Sequence, residues 1–224
     1  MRVLAVETST LSGGAALLDG ERVVGEYVLD VRVTHSERLM AAIDQLLSDA
    51  AWTPRDLEGI AVAVGPGSFT GLRVGLSTVK GLALALSIPV AAVPTLDAMA
   101  AMLPFAALPV CPVLDARKRE VYASLYRWDG LGMRREWDYL AVTPEELSRR
   151  LEEPVIVVGD GADAISSPYA RRLAPPRRGP APAVVGALGH ARLAIGDTVP
   201  IAELAPIYLR PSEAELKRRG AAVS

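Results

Sequence analysis

The stretch Gly65-Pro66-Gly67-Ser68-Phe69-Thr70-Gly71 concentrates the most potential chemistry in the chain. It follows an apolar run, Ile60 to Val64, and precedes a helical pattern reaching about Leu86. Its glycines would therefore open a helix N-terminus with unpaired N–H groups and a positive dipole end. Gly65, Gly67, Ser68 and Thr70 could cradle a phosphate there. Thr8, Ser9 and Thr10, in the polar turn after the first strand-like run, would add hydroxyls and N–H groups. The spacing excludes two standard nucleotide motifs. A Walker lysine is missing, and Gly-x-Gly-x-x-x-Gly is one residue longer than the dinucleotide fingerprint. The first acid after the loop is Asp97, beyond the next strand, where a ribose-holding acid would stand about 20 residues on. The same residues read equally as a structural turn, with anion binding or a contact surface as the alternatives.

Nucleophilic and metal chemistry find less support. Ser68 is not in a Gly-x-Ser-x-Gly elbow, and His35 reads as part of a helix start more readily than as a base. Neither His35 nor His190 has a second histidine one helical turn away. The single cysteine, Cys111, excludes an internal disulfide framework and a multi-thiolate zinc site. It lies between Val110 and Pro112 in an apolar strand, where a thiolate is costly, so it reads as an inert core thiol. Basic groups at Arg117-Lys118-Arg119, Arg134-Arg135, Arg171-Arg172, Arg177-Arg178 and Lys217-Arg218-Arg219 would suit RNA phosphates, with solvated surface as the default.

The remaining chemistry is association. Gly71 and Gly75 lie one turn apart inside a helix, where each costs about 1 kcal/mol relative to Ala. With Thr78 and Leu82 they make a smooth face that another backbone could approach, either the protein's own sheet or a partner helix. In the preceding helix, Leu39, Met40, Ile43, Leu46 and Leu47 form a stripe wider than one buried seam requires; core packing is its commoner fate. On the partner reading, Gly75→Arg would leave the isolated lobe folded while abolishing binding.

The elements that must hold these residues follow from pattern. Strands are expected at Arg2 to Glu7, Gly13 to Leu18 and Arg22 to Leu29, the last two joined at Asp19-Gly20. Thr34-His35-Ser36-Glu37 has capping-box form and opens a helix reaching Ala51. Strand Ile60 to Val64, the glycine loop, its helix and strand Val90 to Val93 make a parallel crossover, and Thr95 is placed as an N-cap. A Pro-rich passage near residue 104 divides residues 1–104 from a smaller lobe, 105–224, whose last residues would pack back on the first. That lobe is read as strands Val110 to Leu114, Glu120 to Arg127 and Arg134 to Leu140, and a helix from Thr143-Pro144 ending before Pro154. Then come strand Val155 to Val158, a helix after Gly159-Asp160-Gly161, a linker from Pro175 to Pro182, a helix from Ala183 to Ile195 and a frayed end from Glu213.

Composition agrees with a folded chain of two small lobes. The 224 residues are half hydrophobic, and 24 Lys+Arg against 26 Asp+Glu exclude polyelectrolyte binding of nucleic acid by bulk charge. Mean hydropathy is +0.26, yet the longest uncharged run, Ala98 to Leu114, is broken by three prolines. No membrane span is expected, and Met1-Arg2 leads straight into a strand rather than a signal segment, which suggests a cytoplasmic protein.

Taken together, Leu4-Ala5-Val6-Glu7-Thr8-Ser9-Thr10, Thr34-His35-Ser36-Glu37-Arg38-Leu39, Gly65 to Gly75, Leu114-Asp115-Ala116-Arg117 with Glu120-Val121-Tyr122, and Pro206-Ile207-Tyr208-Leu209-Arg210 closely resemble the TsaB (YeaZ) family. The resemblance implies the actin, Hsp70 and sugar-kinase (ASKHA) fold, an α/β architecture of two lobes with mixed β-sheets flanked by helices. It implies a non-catalytic subunit of the machinery that makes threonylcarbamoyladenosine in tRNA, binding the transferase TsaD and working with the ATPase TsaE. It also implies a homodimer through the same first-lobe helices, with His35, Leu39, Met40, Ile43, Leu46, Leu47, Gly71, Gly75, Thr78 and Leu82 as contact residues. No cofactor is implied on this chain beyond a weakly held adenine nucleotide at the partner interface. Where TsaD carries a His-x-x-x-His metal pair, His35 is followed here by Leu39, so no metal is expected. Glu7 replaces the usual Asp of the first phosphate turn, and Asp115-Ala116-Arg117 lacks the glycine of the second. An active ATPase or small-molecule kinase is the alternative, and a glycoprotease-like peptidase a weaker one.

Overall fold

The computed structural model describes residues 1–30, 35–174 and 179–210, with side chains described up to residue 28 and again from residue 38. Thr34 and the side chains of residues 35–37 of the capping box, the Arg177 and Lys217 groups and the tail from Glu213 lie outside the described residues. The first sheet has the order β3-β2-β1-β4-β5, from β1 (Arg2–Glu7), β2 (Ser12–Asp19), β3 (Arg22–Asp30), β4 (Gly59–Ala63) and β5 (Val90–Val93). β2 runs antiparallel to both neighbours, while β1, β4 and β5 are parallel, as the crossover pattern requires. Helices α1 (His35–Asp49) and α2 (Phe69–Leu86) cover one face over Leu4, Val6, Leu17, Ile60 and Val62. Val3, Ala5, Leu18, Ala61 and Val93 point to the other face because side chains alternate along a strand.

The second sheet has β6 (Val110–Asp115) at its centre and repeats the plan in the order β10-β7-β6-β11-β12. Its remaining strands are β7 (Val121–Ala123), β8 (Tyr126–Trp128), β9 (Met133–Arg135), β10 (Leu140–Val142), β11 (Val155–Val158) and β12 (Ala170–Arg172). Three sequence expectations are corrected here. The single strand Glu120 to Arg127 is two, β7 and β8, because its register places Ser124 opposite Pro112, which has no N–H for the ladder. Leu125 O accepts instead from Glu136 N at 2.7 Å, and this link splits the next expected strand into β9 and β10. After Gly161 the chain makes only a 3-10 turn, Ala162–Ala164, before Pro168 turns it into β12. Helix α4 (Pro144–Arg150) stands as read, with Thr143 Oγ1 accepting from Glu146 N.

Helix α3 (Thr95–Ala101) is wedged between the sheets: Ala98 joins the first lobe's core, and Leu96 and Met99 join the second's. Its N-cap is Pro94 rather than Thr95, whose N–H donates to Gly65 O at 2.8 Å. Asp97 Oδ1 accepts from Tyr126 OH at 2.6 Å and Tyr139 OH at 2.8 Å, pinning this helix to the second lobe. Asp97→Ala would leave both hydroxyls without that acceptor and is expected to destabilise the chain by about 2–4 kcal/mol. Asp97→Asn, which keeps an acceptor oxygen, should cost less. Urea unfolding midpoints at unchanged m-value check both.

Chain order and lobe membership diverge near the C-terminus. Helix α5 (Pro182–Ala194) packs against β1, β2, β4 and β5, so the first lobe regains much more than the last residues. Segment 199–207 follows it, with Val199 N donating to Val90 O and Ile207 N to Val64 O.

Candidate functional site

β1 ends at Glu7, and the turn beyond it is buried: Glu7, Thr8 and Ser9 are at most 1% exposed. Ser9 N donates to Glu7 Oε1, and Ser68 N donates to Ser9 O at 2.6 Å. A Cβ on Gly67 would lie 2.4 Å from Ser9 O, and one on Gly75 would lie 2.3 Å from Thr8 Oγ1. The glycines thus admit the protein's own β1–β2 turn at a distance that any side chain would forbid. Thr10 Oγ1 donates to Ser12 O at 2.5 Å, and Ser68 Oγ caps α2 by accepting from Gly71 N at 3.3 Å.

The phosphate-cradle expectation is corrected accordingly. The structure brings Ser9, Gly67 and Ser68 into contact, while Thr8 faces Gly75 and Gly65 O accepts from Thr95 N, and Thr8, Ser9 and Gly65 are closed off from solvent. Ser68 and Thr70 remain exposed. Glu7 Oε2, Thr8 Oγ1, Ser9 Oγ and Thr95 Oγ1 are buried without a hydrogen-bond partner among the described residues. Burial, only partly offset by the Ser9 contacts, pushes the Glu7 carboxyl up from 4.5 to about 7. The equivalent turn of the second lobe is built from Asp115, whose Oδ1 accepts from Arg117 N at 2.8 Å and whose N–H donates to Asp160 Oδ1 at 2.8 Å. Cys111 is fully buried, and burial pushes its thiol up to about 12, in keeping with an inert core group.

The contact-residue expectation divides. Leu39, Ile43, Leu46 and Leu47 are at most 8% exposed and belong to the core between α1 and the first sheet. Gly71 is buried as well, and Gly75 faces Thr8. As surface residues, these six are corrected. Met40 is 48% exposed, Thr78 and Leu82 are half-buried, and the His35 side chain lies outside the described residues. The outward row of α2 runs instead through Arg73, Ser77, Gly81 and Ala85, flanked by Leu84 at 66% exposure. Gly81 has nothing within 4 Å of its would-be Cβ among the described residues, so no packing among them accounts for a mid-helix glycine. By length and composition α2 is apolar enough to cross a membrane, yet Leu72, Leu76, Val79 and Ala83 pack it onto the sheet.

Sequence reasoning missed one further unit. The Phe69 and Tyr208 rings stack at 5.2 Å, Arg73 lies 3.8 Å over the Phe69 ring, and Arg73 Nε donates to Tyr208 OH at 3.1 Å. Arg210 continues the same segment and pairs with Glu120 of the second lobe. Both halves lay in quoted motifs, but nothing local signals a contact across such a separation.

Comparison with known proteins agrees with this geometry. Residues 30–156 match the family model described as "TsaD: tRNA N6-adenosine threonylcarbamoyltransferase". The chain is 33% identical to the "tRNA threonylcarbamoyladenosine biosynthesis protein TsaB" of Bacillus subtilis (strain 168), over 97% of each chain. It is also 33% identical to the protein of that name from Escherichia coli (strain K12), over 73% of each. The solved structure "YeaZ from Pseudomonas aeruginosa" superimposes with a TM-score of 0.81 at 28% identity, covering 93% of this chain and 99% of that one. The two-sheet architecture is accordingly that of the ASKHA fold. With its glycine loop closed on the β1 turn and a relative matched almost end to end, the chain belongs to the TsaB (YeaZ) family, within the wider family that the TsaD model describes.

Proposed function

We propose that this chain is a non-catalytic subunit of the machinery for threonylcarbamoyladenosine synthesis in tRNA, contributing a docking surface that holds a TsaD transferase in its active state. The relatives' names support membership of that pathway. The observation that carries the docking role is the outward face of α2. Gly81 sits between Ser77 and Ala85 in a row of small residues, with exposed Leu84 beside it and exposed Met40 on the neighbouring α1. A groove of about 320 Å³ lined by Arg55, Leu57, Ala85, Leu86 and Ile88 extends this face. Small side chains let a partner helix approach closely, and the apolar rim supplies burial. The same face would support a homodimer, TsaE would join through the assembled complex, and a weakly held adenine nucleotide would lie at the partner interface. The protein would act in the cytoplasm. The inward-turned Glu7 and the closed glycine loop disfavour an independent kinase or ATPase.

Gly81→Arg tests the surface, because the space around Gly81 admits the side chain and arginine is the better helix former. The variant should melt no lower than wild type and lose TsaD binding by about 100-fold or more, as a steric block at a close-packed contact requires. Undiminished binding in a pull-down or by calorimetry would refute the assignment of this face.

A further inference from the structure

Resting on the reading above that the protein serves tRNA modification, we infer that the β6–β7 turn is a contact for the phosphate backbone of RNA, made by Arg117, Lys118 and Arg119. Three consecutive residues there have left-handed backbone, with φ of 61°, 53° and 63°. Left-handed positions normally fall to Gly, Asn or Asp and occur singly. The chain instead places three long cations at them, all exposed. Such a turn persists only where its surroundings fix it. The Asp115 carboxylate accepts from Arg117 N, Ala116 N donates to Glu120 O at 3.0 Å, and Glu120 N donates to Arg117 O at 3.1 Å. Conformational ease does not explain the residue choice; three positive charges at one tip do.

The N–H groups of Ala116, Arg117 and Glu120, together with that of Asp115 on Asp160, are occupied within the protein. The ligand class follows from what the turn carries. Its cations stand on successive residues of a tip, an arrangement that suits several phosphates along a strand. The Arg117 and Arg119 guanidinium groups have no acidic partner among the described residues, and Glu120 is taken by Arg210. That pair joins the turn to the segment carrying Tyr208, which Arg73 contacts from α2. The basic tip therefore stands beside the seam between the lobes, on a protein whose formal charge of −2 gives no general affinity for RNA.

The test is the triple variant Arg117→Gly/Lys118→Gly/Arg119→Gly, which removes the charges while suiting the left-handed backbone, so its melting temperature checks that the fold is intact. Binding of an unmodified tRNA transcript is measured across a salt series, with the chain alone and with the chain bound to a TsaD protein. Wild type should bind more tightly by about tenfold or more near 0.1 M salt, and the variant's slope of log affinity against log salt should be shallower by about 2, since each lost phosphate contact removes about 0.7–0.9. An unchanged transcript affinity and slope would overturn the inference. So would a variant that keeps RNA affinity but loses TsaD, since the turn would then be a protein contact. If wild-type chain and TsaD do not associate at all, the proposed function falls, and the titration of the chain alone still decides the role of the turn.

Discussion

Gly75→Arg is expected to unfold the first lobe rather than to spare it. A Cβ at this position would stand 2.3 Å from Thr8 Oγ1 and 3.4 Å from Thr8 Cβ, inside a buried seam where β1 ends against α2. A guanidinium there would be taken out of water without a partner, a loss of at least about 3–5 kcal/mol, which is a large part of a small protein's total stability. The gentler Gly75→Ala combines about 1 kcal/mol of improved helix propensity with an overpacking cost of about 1–3 kcal/mol. Thr8→Ala removes the obstructing hydroxyl, so Gly75→Ala should be markedly better tolerated in that background than in wild type. A double-mutant cycle on urea unfolding free energies measures this coupling. Additive effects, or a well-folded Gly75→Arg, would show that the seam is looser than its distances imply.

The second large effect is a pH dependence centred on Glu7. Its carboxyl rises from 4.5 to about 7 on folding because burial disfavours the ionised form. The folded chain then holds a proton that the unfolded chain has released. The penalty is absent below pH 4.5, grows between 4.5 and 7, and is complete above 7. A shift of that size corresponds to something on the order of 3 kcal/mol. Glu7→Gln keeps an acceptor for Ser9 N and carries no charge, so it should be more stable than wild type at pH 8 and nearly equal to it at pH 4.5. The Asp160 carboxyl is also raised, chiefly by desolvation, and contributes a slope of the same sign to both proteins. The difference between variant and wild type therefore isolates Glu7. A difference that does not vary between pH 4.5 and 8 would mean that water or a counter-charge reaches this carboxyl.

Gly75 and Glu7 lie in the same seam, where β1 ends against α2. Glycines at 65, 67 and 75 are kept, yet each borders a residue of the same chain: Leu72 and Ile207 beside Gly65, Ser9 beside Gly67, Thr8 beside Gly75. The close approach at these glycines is made by the protein's own backbone and side chains. The second turn carries exposed Arg117, Lys118 and Arg119 on left-handed backbone, where a phosphate cradle would need glycine.

What the sequence alone determined is what depends on neighbouring residues. Alternation and turn residues located β1 to β5 within a residue at most ends, helical periodicity located α1 and α2, and Thr143-Pro144 marked the start of α4. The motif set also identified the family, because short runs of glycine, serine and aromatic residues are specific wherever they fold. Tertiary structure decided everything that depends on distance through space. The periodicity that found α1 could not say that Leu39, Ile43, Leu46 and Leu47 were all consumed by one sheet, since a stripe carries no label for what covers it. A glycine likewise announces close approach without naming the neighbour. Only packing separates Gly75, pressed on Thr8, from Gly81, which faces open space, because burial is a property of contacts made after the chain has folded.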